Sequence, residues 1–225
     1  MAVPERVVKR LLILLTAAAG ALDVVCVTRL GGAFASVITG NLVQFGHALA
    51  SADVRLLAGG ATAVGGYAVG VAAGTGALRR AAPGWGRRTG TVAAAEGLLL
   101  LGVAAGWLGT GAHPGFGGRL ALLGSASVAS GVQTAVTISA GIRGASTTYL
   151  TGSLTDLVRG VVLDPHRFAT GTGGLSRLAG LVCGAVLGAW LLRVAPGWAL
   201  APAAALVVAA VAVGWRRAAG HGVSR

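Results

Sequence analysis

Six long apolar runs, nearly free of charge, constrain this chain more than any other feature of its sequence. About 20 apolar residues in a helix cross the hydrocarbon of a bilayer. Only 11% of the residues are charged and 55% are hydrophobic, whereas soluble domains average about 25% charged residues. The sequence therefore predicts an all-α membrane protein, a single membrane domain over residues 1–225. Its six transmembrane helices are predicted near residues 10–31, 56–78, 90–110, 119–140, 175–193 and 197–215.

The basic residues predict the orientation of these helices. With the N-terminus in the cytoplasm, 14 of the 18 Lys and Arg residues lie on the cytoplasmic side, and four lie outside: Arg29, Arg55, Arg119 and Arg193. Lys and Arg concentrate in cytoplasmic loops, so both termini are predicted to be cytoplasmic. The arginines separate apolar runs and form no patch, so the net charge of +12 does not indicate a nucleic-acid partner.

The N-terminal run fits two interpretations. Arg6, Lys9 and Arg10 precede "LLILLTAAAGA", which suits either a cleavable signal peptide or an uncleaved first helix. The internal repeat described next needs this run, which favours the uncleaved helix. Lys9 is the only lysine, and the bias toward Arg, Ala, Val and Gly is typical of a GC-rich bacterial genome. We therefore expect a multi-pass protein of the bacterial cytoplasmic (inner) membrane.

Two polar, glycine-centred segments repeat half a chain apart. Thr39-Gly40-Asn41-Leu42 aligns with Thr151-Gly152-Ser153-Leu154, 112 residues later (39 to 151). The repeat divides the chain into residues 10–110 and 119–215, with three spans in each half. An odd number of spans makes the two halves inverted relative to each other, as in many transporters. The first TG segment (35–50) and the second TG segment (147–162) are predicted to be re-entrant or broken helices. Amphipathic surface helices are the alternative.

Polar residues inside apolar runs suggest where a solute binds. A break in a helix within the membrane frees backbone groups, and a helix N-terminus offers N–H donors. Intramembrane polar side chains usually face the bundle interior, so the candidates are expected to meet near its centre. The candidate binding residues are Asp23, Thr39, Gly40, Asn41, Gln133, Thr151, Gly152 and Ser153, with Glu96, Gln44, Thr148 and Asp156 as accessory candidates.

Two of these residues have simpler interpretations. Asp23 is also explained by a structural ion pair with Arg29 or Arg143. Glu96, predicted near the start of its helix, is also explained by a side chain that reaches the membrane surface. Gln133 lies at nearly the repeat-equivalent place to Asp23.

Enzyme chemistry is not predicted. The chain has no GxSxG, HExxH or nucleotide-binding loop. Cys26 and Cys183 both lie in apolar runs, without the spacing of a metal site. We expect no metal and no cofactor.

The chain resembles the YoaK-like family of bacterial multi-pass membrane proteins, a domain of unknown function. In the first half the resemblance lies in "GALDVVCVTRLGGAFASVITGNLVQFG", and in the second half in "ASGVQTAVTISAGIRGASTTYLTGSLTDL". It covers nearly the whole chain. The family usually has Asn after the glutamine, where this chain has Thr134. The resemblance implies an inner-membrane protein with a transport role and no settled substrate.

The sequence is compatible with two functions. The inverted repeat favours a secondary transporter or permease for a small solute, with proton coupling as an option. A channel, or a structural or sensory membrane subunit without active transport, is the alternative. The expected partners are the lipid bilayer and an unidentified solute, and a homo-oligomer is left open.

Overall fold

A computed structural model of the chain describes residues 3–141, 150–163 and 172–220. In these residues it has eight α-helices and no strand. A short 3-10 turn, Pro196–Trp198, precedes the last helix. The helices are α1 (Glu5–Arg29), α2 (Ile38–Ser51), α3 (Val54–Leu78), α4 (Arg87–Gly109), α5 (Phe116–Ser139), α6 (Leu150–Leu163), α7 (Thr172–Val194) and α8 (Ala201–Gly220).

Six of these helices are long and apolar enough to cross a membrane: α1, α3, α4, α5, α7 and α8. The prediction of six helices with the length and composition of membrane spans is therefore confirmed. The other two, α2 and α6, have 14 residues each. A helix of that length is about 21 Å long at 1.5 Å per residue, short of the roughly 30 Å of hydrocarbon in a bilayer.

Several helices extend beyond the apolar runs that predicted them. α1 begins at Glu5 instead of residue 10, and α4 begins at Arg87 instead of residue 90. Arg is a good helix former, so a helix continues through the basic residues at a membrane edge. The longer α4 places Glu96 nearer to the middle of its helix than the sequence predicted.

The helices of the two halves are interleaved. α1 lies along α7 and α8, and α5 lies along α3 and α4. α4 also packs on α8, while α2 packs on α3 and α6 packs on α7. The first spanning helix of each half therefore makes its largest contact with the middle spanning helix of the other half.

Glycine allows α3 and α5 to approach at backbone distance. A Cβ added at Gly131 of α5 would overlap the carbonyl oxygen of Tyr67 and lie 2.7 Å from the backbone nitrogen of Val71. A Cβ at Gly70 of α3 would overlap the carbonyl oxygen of Val128. Small residues at such crossings let helix backbones pack closely in lipid, where the hydrophobic effect does not drive helices together.

The contact between α1 and α7 is built in the same way. A Cβ at Gly20 of α1 would overlap the carbonyl oxygen of Leu181 and lie 3.1 Å from the backbone nitrogen of Ala185. A Cβ at Gly184 of α7 would overlap the carbonyl oxygen of Ala17. Neither glycine tolerates a side chain unless the helices separate.

These two interfaces match residue by residue. On the middle spanning helices, Leu181 and Ala185 follow Tyr67 and Val71 by 114 residues (67 to 181, 71 to 185). On the first spanning helices, the contacting residues are 111 apart: 17 and 128, 20 and 131. The contacts of the short helices match too, since Gly60 faces the carbonyl oxygen of Asn41 and Gly174 faces that of Ser153.

Candidate functional site

Asp23 holds the chain that leaves α1. Residues 30–37 join α1 to α2 without forming a helix. The Asp23 carboxylate is 6% exposed. It accepts hydrogen bonds from the backbone nitrogen of Ser36 at 2.9 Å and from its Oγ at 2.5 Å. In the described part of the chain Asp23 forms no ion pair with Arg29, and Arg143 lies outside the described residues. The Asp23 carboxylate thus accepts hydrogen bonds from a residue of the non-helical segment that follows α1.

Asn41 holds the same segment from the other side. Its Nδ2 donates to the carbonyl oxygen of Phe34 at 2.7 Å, and the backbone nitrogen of Phe34 donates to its Oδ1 at 2.8 Å. The Asn41 side chain is fully buried. A non-helical backbone that is buried away from water must find such partners, because an unpaired buried N–H or C=O group is costly. Asp23 and Asn41 together satisfy backbone groups of residues 34–36.

The remaining polar residues of the first TG segment lie outside this cluster. Thr39, in the first turn of α2, is exposed, and Gly40 is half-buried against the side chains of Val37 and Phe34. The Oε1 atom of Gln44 is buried and has no hydrogen-bond partner among the described residues.

The second TG segment has a different polar contact. Thr151, Gly152 and Asp156 are exposed, whereas Ser153 is buried. The Nη2 atom of Arg177, on α7, donates to Oγ of Ser153 at 3.3 Å. Thr148 lies outside the described residues.

Gln133 ties the first spanning helices of the two halves together. Its Nε2 donates to the carbonyl oxygen of Leu15 at 3.0 Å, between α5 and α1. The offset of 111 residues makes Thr134, the next residue, the structural counterpart of Asp23 (23 to 134). Thr134 accepts a hydrogen bond from the Tyr67 hydroxyl at 2.9 Å. Gln133, expected near the repeat-equivalent position of Asp23, thus lies one residue before that counterpart.

Glu96 is the second buried carboxyl of the described residues. It is 1% exposed, in the stripe of α4 that is buried in the bundle. Neither carboxyl oxygen has a hydrogen-bond partner among the described residues. A side chain that reached the membrane surface would be exposed, so the burial of Glu96 argues against that interpretation.

The candidate residues therefore do not form one cluster in the described structure. Asp23 and Asn41 meet at residues 34–36, Gln133 contacts α1, and Ser153 contacts α7. Sequence reasoning missed Ser36 and Phe34, the partners of this arrangement. No group of three or more His, Cys, Asp or Glu residues that could hold a metal occurs in the part of the chain that the structure describes.

Two cavities open at opposite ends of the bundle. One, of about 570 Å³, lies at the start of α1 and the end of α5. The other, of about 440 Å³, lies at the starts of α3 and α5. Three residues of each cavity are 111 positions apart, which makes them repeat counterparts: Glu5, Val8 and Lys9 in the first, and Phe116, Arg119 and Leu120 in the second.

The sequence of the chain matches one family of proteins. The family model, described as a protein of unknown function (DUF1275), matches residues 11–213. The chain belongs to this family. The matched range includes both glycine interfaces, Asp23, Glu96 and Gln133, so the features described above lie within the family domain. No curated protein and no solved structure matches the chain.

Proposed function

We propose that this family member is a small-solute secondary transporter of the bacterial inner membrane, built from two inverted repeats. The observation that carries the proposal is the residue-by-residue match between the α3–α5 and α1–α7 interfaces. Each half contributes three spanning helices, so equivalent helices run in opposite directions across the bilayer. Inverted repeats of this kind let one half move against the other and open a shared site to either side.

The path of the first TG segment supports a re-entrant interpretation. Asp23 lies six residues before the end of α1, about 9 Å below that end at 1.5 Å per residue. Its bonds hold Ser36 at the same depth. α2 then runs back along α3 and ends at Ser51, three residues before α3 begins at Val54. The chain thus enters the bundle as a non-helical segment and leaves it as a helix.

In this account Asp23 and Asn41 position the segment and do not bind the solute. Their polar atoms are occupied by the backbone of residues 34–36 and by Ser36 Oγ. The exposed Thr39, and its counterpart Thr151, remain available for a polar solute at the start of α2 and α6. No cofactor and no chemical reaction is part of the proposal.

The paired cavities support movement of a solute between two sides. They lie at opposite ends and share counterpart residues, so each is the expected entrance of one half. In the first, Nζ of Lys9 pairs with Oε1 of Glu5 at 2.8 Å. The second is lined by Asp53, Arg55 and Arg119. The 14-to-four distribution of basic residues orients the first cavity toward the cytoplasm.

A transport assay without a known substrate tests the proposal. Purified protein in liposomes, with an imposed pH gradient, is incubated with an isotopically labelled bacterial metabolite extract, and the contents are measured by mass spectrometry. We expect at least one compound to accumulate above its external concentration and above its level in protein-free liposomes under the same pH gradient, which correct for permeant weak acids and bases. Entry that stops at equal concentrations would indicate a channel. No entry at all would favour a structural or sensory subunit.

A further inference from the structure

We propose that Glu96 is a proton-binding site inside the bundle and couples transport to protons. The coupling role rests on the transport function proposed above, whereas the proton site does not. On binding, the carboxylate takes up one proton and becomes a neutral carboxylic acid, and release reverses this step.

The position of Glu96 suits such a site. It is the tenth residue of α4, which begins at Arg87, so it lies about 14 Å along the helix. Leu100 and Val103 continue its buried stripe toward the far end of the helix, and Ala93 precedes it. A carboxyl placed this deep in an apolar stripe is costly, and such residues in membrane proteins commonly carry protons.

In the described part of the chain, the surroundings of Glu96 contain no cation that would stabilise its charged form. On the packed helices, Arg119 lies near the start of α5, and Arg216 and Arg217 lie in the last turns of α8. α3, which touches α4 more weakly, has Arg55 in its first turn and Tyr67, whose hydroxyl donates to Thr134. On α4 itself, Arg87 and Arg88 form the first turn. Each of these arginines lies at or near a helix end. Arg87 and Arg88 are at least eight residues from Glu96 along α4, and the others are on different helices.

Asp23 provides the internal comparison. It is also a buried carboxyl, but Ser36 donates two hydrogen bonds to it. Donated hydrogen bonds stabilise a carboxylate. Glu96 has none among the described residues, and a buried carboxylate without partners is far more costly than the neutral acid. Of the two, Glu96 is therefore the carboxyl expected to carry a proton in the closed bundle.

A proton fits this site better than a metal cation. Metal cations held by oxygen need several ligands around them. In the described residues Glu96 belongs to no group of three or more acidic, His or Cys side chains that could hold one. A proton needs one oxygen. Gly97 faces Val207 and Val208 of α8, so we expect opening of the α4–α8 contact to let the proton exchange with water.

Infrared spectroscopy of the purified protein tests the proton site without any substrate. The carboxylic C=O stretching band is recorded while the pH is raised from acidic to alkaline, for the wild type, Glu96→Gln, Glu96→Asp and Asp23→Asn. We expect a band in the wild type and in Asp23→Asn that is still present at neutral pH, where exposed carboxyls are ionised, and that falls as the pH is raised further. It should be lost in Glu96→Gln and shifted in Glu96→Asp, which covers the case in which Glu96→Gln does not fold.

Each contrary result has a separate meaning. A neutral-pH band that persists unchanged in Glu96→Gln, or no band at neutral pH in the wild type, would overturn the proton site. A band of Glu96 that does not change with pH would overturn its coupling role. If the band behaves as expected but a pH gradient drives no uptake of any compound, the transport proposal and the coupling role fail, while the proton site stands.

Discussion

Gly70 in the first half and Gly184 in the second occupy counterpart positions in matching interfaces, yet the polar side chains around them differ. Asp23 has Thr134 as its counterpart, and Asn41 has Ser153. In the first half, the Asp23 carboxylate and the Asn41 amide hydrogen-bond to a non-helical segment. In the second half, Thr134 meets Tyr67, and Ser153 meets Arg177. The packing of the two halves is duplicated, whereas their polar chemistry is not.

This difference teaches which constraints a repeated membrane fold retains. A Cβ at either glycine would overlap backbone, and backbone cannot move aside as the end of a side chain can. Only glycine meets that constraint in both halves. A buried polar group needs only some partner, so polar positions diverge as long as each new side chain finds one. We therefore expect equivalent substitutions at the interface glycines of the two halves to cost similar amounts of stability. Substitutions at the counterpart polar residues should cost different amounts.

The largest expected effect tests the symmetric part. Gly70→Ala and Gly184→Ala should each destabilise the protein by about 3 kcal/mol or more, because overpacking against backbone cannot be relieved locally. The two losses should be similar. Thermal unfolding in detergent, followed by size-exclusion chromatography, measures them.

Gly65→Ala is the matched control on α3. A Cβ there meets nothing within 4 Å, and alanine favours a helix over glycine by up to about 1 kcal/mol. If Gly65→Ala were as unstable as Gly70→Ala, backbone overlap would not explain the loss of stability. If Gly184→Ala were as stable as the wild type, the two interfaces would not be equivalent.

Asn41 and Ser153 test the asymmetric part. Asn41→Ala leaves the N–H and C=O groups of Phe34 without partners, at about 1–3 kcal/mol for each group. Ser153→Ala removes one 3.3 Å hydrogen bond from Arg177, which also donates to the carbonyl oxygen of Gly173, so the loss should be only about 1 kcal/mol. Asn41→Asp places a buried carboxylate oxygen against the carbonyl oxygen of Phe34, so its loss of stability should equal or exceed that of Asn41→Ala. Equal losses for Asn41→Ala and Ser153→Ala would remove the distinction between the halves.

A smaller effect is expected at Asp23. Asp23→Asn keeps the shape but loses an acceptor for Ser36, which should cost about 1–2 kcal/mol. The effects of Asp23→Asn and Ser36→Ala on stability should be strongly non-additive, since both remove the hydrogen bond from Ser36 Oγ to the Asp23 carboxylate. Arg29→Gln should leave stability unchanged, because Arg29 does not pair with Asp23. Additive effects in this double-mutant cycle would show that Asp23 acts through another group.

Apolar length and composition were sufficient to predict the six spans. Sequence reasoning also placed the two TG segments, because Thr-Gly followed by a small polar residue is easily aligned. It overlooked a stronger repeat: Ala-Pro-Gly-Trp occurs at 82–85 and again at 195–198, 113 residues later. It also overlooked the offset of the interface glycines, since single glycines are uninformative in a chain with 39 of them.

The polar contacts could not be predicted for a physical reason. Asp23 accepts hydrogen bonds from Ser36 because the chain turns back after α1. The hydropathy pattern does not predict the path of that turn. Arg29 and Arg143 were the obvious partners by charge. Glu96 was placed too near a membrane edge because the predicted helix omitted Arg87 and Arg88, which form its first turn.

The central claim is that the two halves are inverted, and the Ala-Pro-Gly-Trp pair tests it most directly. Ala82→Cys and Ala195→Cys, each in a protein with Cys26 and Cys183 replaced by Ala, are treated with a membrane-impermeant maleimide in intact cells and after permeabilisation. We predict that residue 195 reacts in intact cells and that residue 82 reacts only after permeabilisation. Reaction of both residues from the same side would contradict the account.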